Sequence, residues 1–241
     1  ESKTLVGAIN KLVHVDNAVA IIGPTWGDSY QGGWPVLRAA KVPGISPSTS
    51  MEALESTNEP IDYAFSTYPP ERPEIAAIQS YAEKAGIKTV VTVFDQDAYS
   101  TMMIRLFKEV AGAHAITVLD SHEMPTGNQD FRTVIVKVKA KNPDAVFISL
   151  LAPSTKGSFL KQAHDLGLKS VILSAADIQD PSVLASFGSS MDGVIYTYPK
   201  TAAGPHEVKA AYKKTYNSDP QGPAAANAYD GARMVIVVWQ Q

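Results

Sequence analysis

The short polar residues of this chain gather where apolar runs give way to helical patterns. One such place is Gly23-Pro24-Thr25-Trp26-Gly27-Asp28-Ser29, directly after the run Ala18–Ile22. Small and hydroxyl-bearing residues at the start of a helix suit anion binding. The unpaired backbone N–H groups and the helix dipole both favour negative charge there. Thr25 and Gly27 would then hold a carboxylate and Trp26 would form an apolar or stacking wall. A purely local reading stands beside this one, with Asp28 as helix N-cap and Trp26 in the core. Asp28 would repel an anion, so the ligand reading requires it to face outward. A second place is Ser48-Thr49-Ser50, where Thr49 and Glu52 have capping-box spacing. That local role needs one hydroxyl, which leaves others for a ligand. A third is Asp177, after Val171–Leu173. Asp180-Pro181 reads as an N-cap followed by Pro at the first helical position. Asp177 is not needed for that cap and is available to an ammonium or another hydrogen-bond donor.

Enzyme chemistry finds little purchase. The sequence contains no Gly-x-x-x-x-Gly-Lys-[Ser/Thr], Gly-x-Gly-x-x-Gly or Gly-x-Ser-x-Gly. The five histidines, His14, His114, His122, His164 and His206, lack metal-ligand spacing, and there is no cysteine for a thiolate site or nucleophile. Ser154-Thr155-Lys156 lacks Ser-x-x-Lys spacing and reads as a helix start. We therefore expect no enzyme, no metal and no cofactor. The net charge of -3, without a Lys/Arg cluster, argues against a nucleic-acid partner. No apolar run reaches the roughly 18–20 residues of a membrane span. The chain opens on Glu1-Ser2-Lys3 and ends just after the apolar run Met234–Trp239, so further sequence is expected beyond both ends.

A regular scaffold must position these loops. With 241 residues, 45% hydrophobic and 19% charged, the chain suits one large soluble domain or two lobes. The runs Ala18–Ile22, Thr89–Phe94, Ala145–Leu151, Val171–Leu173 and Val194–Tyr196 are apolar at nearly every position, as in strands buried on both faces. Helical spacing lies between them. Glu74–Ala85 aligns Ile75, Ile78 and Tyr81, and Thr101–Ala111 aligns Met102, Leu106 and Val110. Phe131–Ala140 also alternates strictly through Val134, Val136 and Val138, but Asp130 before it can cap a helix, and a helix is expected there. The β-α alternation predicts an α/β fold, with parallel sheets flanked by helices and right-handed crossovers. Pro/Gly-punctuated stretches at Phe65–Pro73 and Tyr196–Pro205 look like lobe crossings. They predict a first lobe from residues 1–67 and 200–241, short of strands, and a second lobe from residues 68–199.

The run Ala20-Ile21-Ile22-Gly23-Pro24, followed by a helix and Val42-Pro43-Gly44-Ile45-Ser46-Pro47-Ser48-Thr49-Ser50, resembles the first lobe of type I periplasmic binding proteins. The branch most resembled serves branched-chain amino acid ABC transporters. Val93-Phe94-Asp95 through Tyr99, the Lys141–Val146 stretch with its Asn-Pro-Asp, Ala163–Leu168 and Gly193–Lys200 resemble later parts of that family in order. The resemblance covers essentially the whole chain. It implies two Rossmann-like lobes joined by hinge strands, with an opening β-α-β unit ahead of Glu1. It also implies an extracytoplasmic solute-binding protein, periplasmic or extracellular, that is a monomer and partners an ABC permease. The solute would be an amino acid or related small carboxylate, held by Thr25, Trp26, Gly27, Ser48, Thr49 and Ser50 and closed over by Tyr99, Ala152 and Asp177. A ligand-sensing domain of a receptor or regulator with the same fold is the alternative. Gapless alignment to the family puts Ala176, not Asp177, at its acidic position. The Leu151–Ser154 loop lacks the family's Tyr, and Gly27 replaces a Ser. These departures leave room for a different carboxylate, including an aromatic one.

Overall fold

A computed structural model describes residues 2–57, 60–179, 181–198, 206–220 and 224–240. The chain divides into two compact units, Glu1–Pro70 with Pro199–Gln241, and Glu71–Tyr198.

The first unit carries α1 (Ser2–His14), β1 (Ile21–Ile22), α2 (Gly27–Ala40), β2 (Gly44–Ser46), β3 (Ala64–Ser66), α8 (His206–Tyr216) and α9 (Ala224–Trp239). Its sheet runs β1-β2-β3, all parallel, with Ile22 opposite Ile45 and Ser46 opposite Ser66. Ile9, Val13, Tyr30, Trp34, Leu37, Leu54 and Ala64 form its core. The Tyr30 hydroxyl donates to the Phe65 carbonyl at 2.9 Å. Burial pushes its pKa up, so the phenol stays neutral and keeps that donor. Sequence reading finds β1 and β2 but misses β3. That strand is three residues long and sits between Tyr63, at positive φ, and a Pro-rich stretch.

The second unit is a doubly wound sheet in the order β5-β4-β6-β7-β8, parallel throughout. Its strands are β4 (Thr89–Asp95), β5 (Thr117–Met124), β6 (Ala145–Ser149), β7 (Val171–Ser174) and β8 (Ile195–Tyr196). Its helices are α3 (Arg72–Lys84), α4 (Ala98–Ala111), α5 (Arg132–Lys141), α6 (Pro153–Asp165) and α7 (Pro181–Phe187). β4 and β6 are buried almost throughout, which is why they read as unbroken apolar runs. β5 pairs only with β4 and alternates toward solvent, so its polar sequence hides it.

The helical reading of Phe131–Ala140 holds, but its buried face does not. Val134, Ile135 and Val138 are buried, whereas Val136 is 59% exposed. A 3.6-residue period selects Ile135 over the alternating valine. In α3, likewise, Ala82 is buried and Tyr81 turns outward. The N-cap position of α5 is Phe131, whose amide donates to Gln162 Oε1 at 2.8 Å. Asp130 instead accepts from the Arg132 amide and pairs with the Arg132 guanidinium at 2.6 Å. Residues 199–205, within the second predicted crossing, lie outside the described residues.

The Asn-Pro-Asp motif has a structural explanation. Asn142 ends α5 in the left-handed region. Asp144 Oδ2 accepts from the amides of Lys88 and Thr89, each at 2.9 Å, and from Thr89 Oγ1 at 2.8 Å. The start of β4 is thereby fastened to the start of β6. The Lys88 amide, then the Thr89 hydroxyl and amide, hold this carboxylate below its usual range. A depressed folded pKa stabilises above the unfolded value near about 3.9 and is lost as pH falls through the folded one. Asp144→Asn should therefore cost about 1 kcal/mol or less at neutral pH, the site being solvent-screened. In urea titrations the gap from wild type should narrow below about pH 4. A gap independent of pH would count against this role.

Candidate functional site

In parallel sheets, ligand-binding groups collect where strands end and helices begin, because the helix N-termini open there. In the first unit, β1 and β2 are parallel neighbours, so their exit loops lie side by side. Gly23, at φ +128°, donates its amide to Ile45 O at 2.8 Å and turns the chain out of β1. Trp26 then occupies the N-cap of α2 and makes no side-chain cap hydrogen bond. An indole cannot accept such a bond, so the first amides of α2 receive no cap from Trp26.

The loop after β2 holds the loop after β1 through hydroxyl groups. Ser46 Oγ donates to Pro24 O at 2.9 Å and accepts the Thr49 amide at 3.0 Å. Ser48 Oγ and Thr49 Oγ1 both donate to Thr25 O, at 2.7 and 2.8 Å. A carbonyl oxygen only accepts, so both hydroxyl protons are committed to it. Toward any ligand, these two hydroxyls present lone pairs alone. The cap residue is Ser50, not Thr49: Ser50 Oγ accepts the Glu52 amide at 3.2 Å and starts the short 3-10 helix Met51–Ala53. The capping-box reading of Thr49 fails because the Thr49 hydroxyl is drawn to Thr25. From outside the loop, Ser66 Oγ donates to Thr49 O at 2.8 Å and Asn227 Nδ2 donates to Pro47 O at 2.9 Å.

The structure leaves Thr25 exposed, Trp26 59% exposed, Gly27 buried and Ser48 half-buried, with Thr49 and Ser50 buried. The core reading of Trp26 is thus corrected: the buried tryptophan is Trp34. Asp28 is exposed in the first turn of α2, not its cap. Sequence reading did not find Ser46, Ser66 or Asn227. Their only signal is a hydroxyl or amide residue beside a strand end.

In the second unit, the exits of β4, β6, β7 and β8 form one carboxyl-end edge. Buried Asp95, at the end of β4, accepts the Leu151 amide at 2.9 Å and ties the first two exit loops together. Asp97 caps α4 through the Ser100 amide, and half-buried Tyr99 stands in the first turn of that helix. Ala152 is the N-cap of α6 and supplies no side-chain acceptor. Asp177 lies in the 3-10 turn Ala176–Gln179 after β7, but its side chain lies outside the described part, as does all of Asp180. Glu74 in α3 was not singled out from sequence. Its Oε1 accepts the Ala176 amide and the Thr197 hydroxyl, each at 2.8 Å. Among the described residues, no three His, Cys, Asp or Glu side chains group to hold a metal ion. The first unit gathers hydroxyls and an exposed aromatic ring at the start of α2, and the second unit separately gathers amides, a hydroxyl and carboxylates at its own strand exits.

Residues 3–240 match the sequence profile of a periplasmic binding protein family. Among similar proteins is the leucine-, isoleucine-, valine-, threonine- and alanine-binding protein of Pseudomonas aeruginosa, 23% identical over 98% of this chain and 63% of that protein. The leucine-binding protein LivK of Thermotoga maritima superposes with a TM-score of 0.83 at 22% identity, covering 97% of this chain and 67% of that one. An ABC-transporter solute-binding protein of Rhodopseudomonas palustris, solved with 3,4-dihydroxybenzoic acid, gives a TM-score of 0.79 at 26% identity, over 98% of this chain and 65% of that one. The chain thus spans about two thirds of the length of these relatives.

Proposed function

Because the chain belongs to the periplasmic binding protein family, we propose that it is an extracytoplasmic solute-binding protein that takes up an amino acid or related small carboxylate. It holds the solute between its two units, closes by a hinge near residues 66–70 and 196–200, and presents it to an ABC permease. The observation that carries this reading is the pair of joined loops after β1 and β2. They set the start of α2, where the N-cap Trp26 supplies no side-chain acceptor, beside the Thr25 carbonyl and two oriented hydroxyls. The relatives give the same direction. Leucine and 3,4-dihydroxybenzoic acid, named for two of them, share only a carboxylate on an apolar body. A carboxylate suits the amides of α2, and exposed Trp26 suits the apolar body. Thr49, buried and bound to Thr25, serves as a clasp; Ser48 is the hydroxyl within reach of a ligand. Tyr99, Ala152 and Asp177 complete the site from the second unit.

Thermal-shift measurement on the full-length protein tests this. A true ligand at a hundred times its Kd should stabilise by about 2.7 kcal/mol through mass action. Tyr99→Ala should reduce that stabilisation while leaving the unliganded melting temperature within a few degrees of wild type. If no amino acid or small carboxylate raises the melting temperature, the reading is wrong.

A further inference from the structure

The loop that follows β2 is held from outside by a residue far along the chain. Asn227, in the first turn of α9, donates from Nδ2 to Pro47 O at 2.9 Å. The backbone carbonyl of the same residue accepts the Thr67 hydroxyl at 2.8 Å. Thr67 follows β3 and donates its own amide to Ser46 O at 3.0 Å. One residue of α9 is therefore bonded both to the candidate binding loop and to the segment by which the chain leaves the first unit at Pro70. The helix alone does not favour asparagine at this place. Asn227 is the fourth residue of α9, past the cap position where its side chain would serve the helix, and asparagine is a weaker helix former than alanine or leucine.

α9 is itself seated closely on the strands that lead into the site. Ala226 is buried, and Gly231 crowds β1 and β2: a Cβ there would stand 3.2 Å from Ile45 Cγ2 and 3.7 Å from Ile22 Cγ2. From this seat the bond to Pro47 O aims the loop. The Pro47–Ser48 peptide is planar, so holding its carbonyl toward α9 directs the Ser48 N–H the opposite way. Ser48 is also a residue whose hydroxyl clasps Thr25 O. We propose that Asn227 is a positioning residue for the candidate binding loop, and that through it α9 and Thr67 follow the pose that Pro47–Ser50 adopts on a solute. Every contact involved lies within the first unit. This deepens, and rests on, the solute-binding reading above.

Asn227→Ala and the near-isosteric Asn227→Leu remove the bond to Pro47 O without weakening the helix, since both residues favour it more than asparagine does. Thr67→Val removes the second bond and Thr67→Ser keeps it. The probe is the strongest binder by thermal shift among the standard L-amino acids and 3,4-dihydroxybenzoate. Its affinity for the full-length protein is measured by calorimetry, and amide hydrogen exchange is followed with and without it. In wild type the probe should slow exchange in residues 48–52 and also in the first two turns of α9. Asn227→Ala and Asn227→Leu should bind it about three- to tenfold more weakly, the range for one neutral hydrogen bond. They should keep the slowing in residues 48–52 and lose it in α9. Thr67→Val should reduce the slowing at Thr67 and Tyr68, and Thr67→Ser should match wild type. Wild-type affinity in both Asn227 variants, or slowing in α9 that survives them, would overturn the assignment while the solute-binding reading stands. Thr67→Val behaving as wild type would overturn it too. If no probe raises the wild-type melting temperature, both readings fail.

Discussion

Replacing Phe147 by alanine is expected to destabilise the second unit by about 3–5 kcal/mol, the usual cost of deleting a fully buried ring. Phe147 sits in β6, the strand between β4 and β7, opposite Thr92 on one side and Leu173 on the other. Its ring is fully buried and stacks on Phe107 of α4 with centroids 4.5 Å apart and planes 18° from parallel. The variant loses the apolar transfer term, the ring–ring contact and the fit of α4 against the sheet. Neighbours on a central strand are paired on both edges, so the cavity has little freedom to collapse. Phe147→Leu retains most of the volume and should cost under about 1.5 kcal/mol. Equilibrium urea denaturation of both variants measures the difference. A loss below about 1 kcal/mol for Phe147→Ala would mean that the α4 face of this sheet is not the packed core described. Whole units carry the marginal stability typical of domains, so a loss at the upper end leaves much of the variant unfolded at physiological temperature.

β6 and β4 illustrate what could be read from sequence alone. A strand covered on both faces has no polar positions to conceal it, and both appear as apolar runs. β5 and β3 were illegible for the opposite reason. One is an edge strand with Asp120, His122 and Glu123 in it, and the other spans only Ala64–Ser66. Each is held in place by pairing with the strand before it, which local pattern does not reveal. α5 shows an intermediate case: helix type followed from the sequence, but the buried face chose Ile135 over Val136 because the helical period overrides alternation. The candidate site divides similarly. That hydroxyls gather after β2 is visible in Ser48-Thr49-Ser50. Which one caps the next turn, and which two turn toward Thr25, is set by the neighbouring loop, so the Thr49–Glu52 spacing points to the wrong cap. Glu74 was invisible because its partners Ala176 and Thr197 lie more than a hundred residues away.

The second large effect concerns the Thr25 clasp. The double variant Ser48→Ala, Thr49→Val removes both donors from one carbonyl while preserving backbone geometry and nearly preserving volume. Loss of two neutral hydrogen bonds should lower stability by about 1–3 kcal/mol in total. The effect on binding should be larger in kind. The Thr25 carbonyl precedes Trp26 and the first amides of α2, so those groups are aimed by the clasp. Without it the loop must be ordered by the ligand itself, and that ordering is subtracted from affinity. The ligand also loses the Ser48 lone pairs. Together these effects should weaken binding by about 100-fold, equivalent to about 2.7 kcal/mol. The two single variants distinguish the causes. Buried Thr49 acts only through the loop, so Thr49→Val should reduce affinity for an amino acid and for its des-amino acid by the same factor. Half-buried Ser48 would touch the ligand directly on the proposed reading, so Ser48→Ala should reduce affinity more than Thr49→Val does. Equal losses in both variants would show that Ser48 also acts through the loop alone, and unchanged affinity in the double variant would remove the clasp from the site altogether.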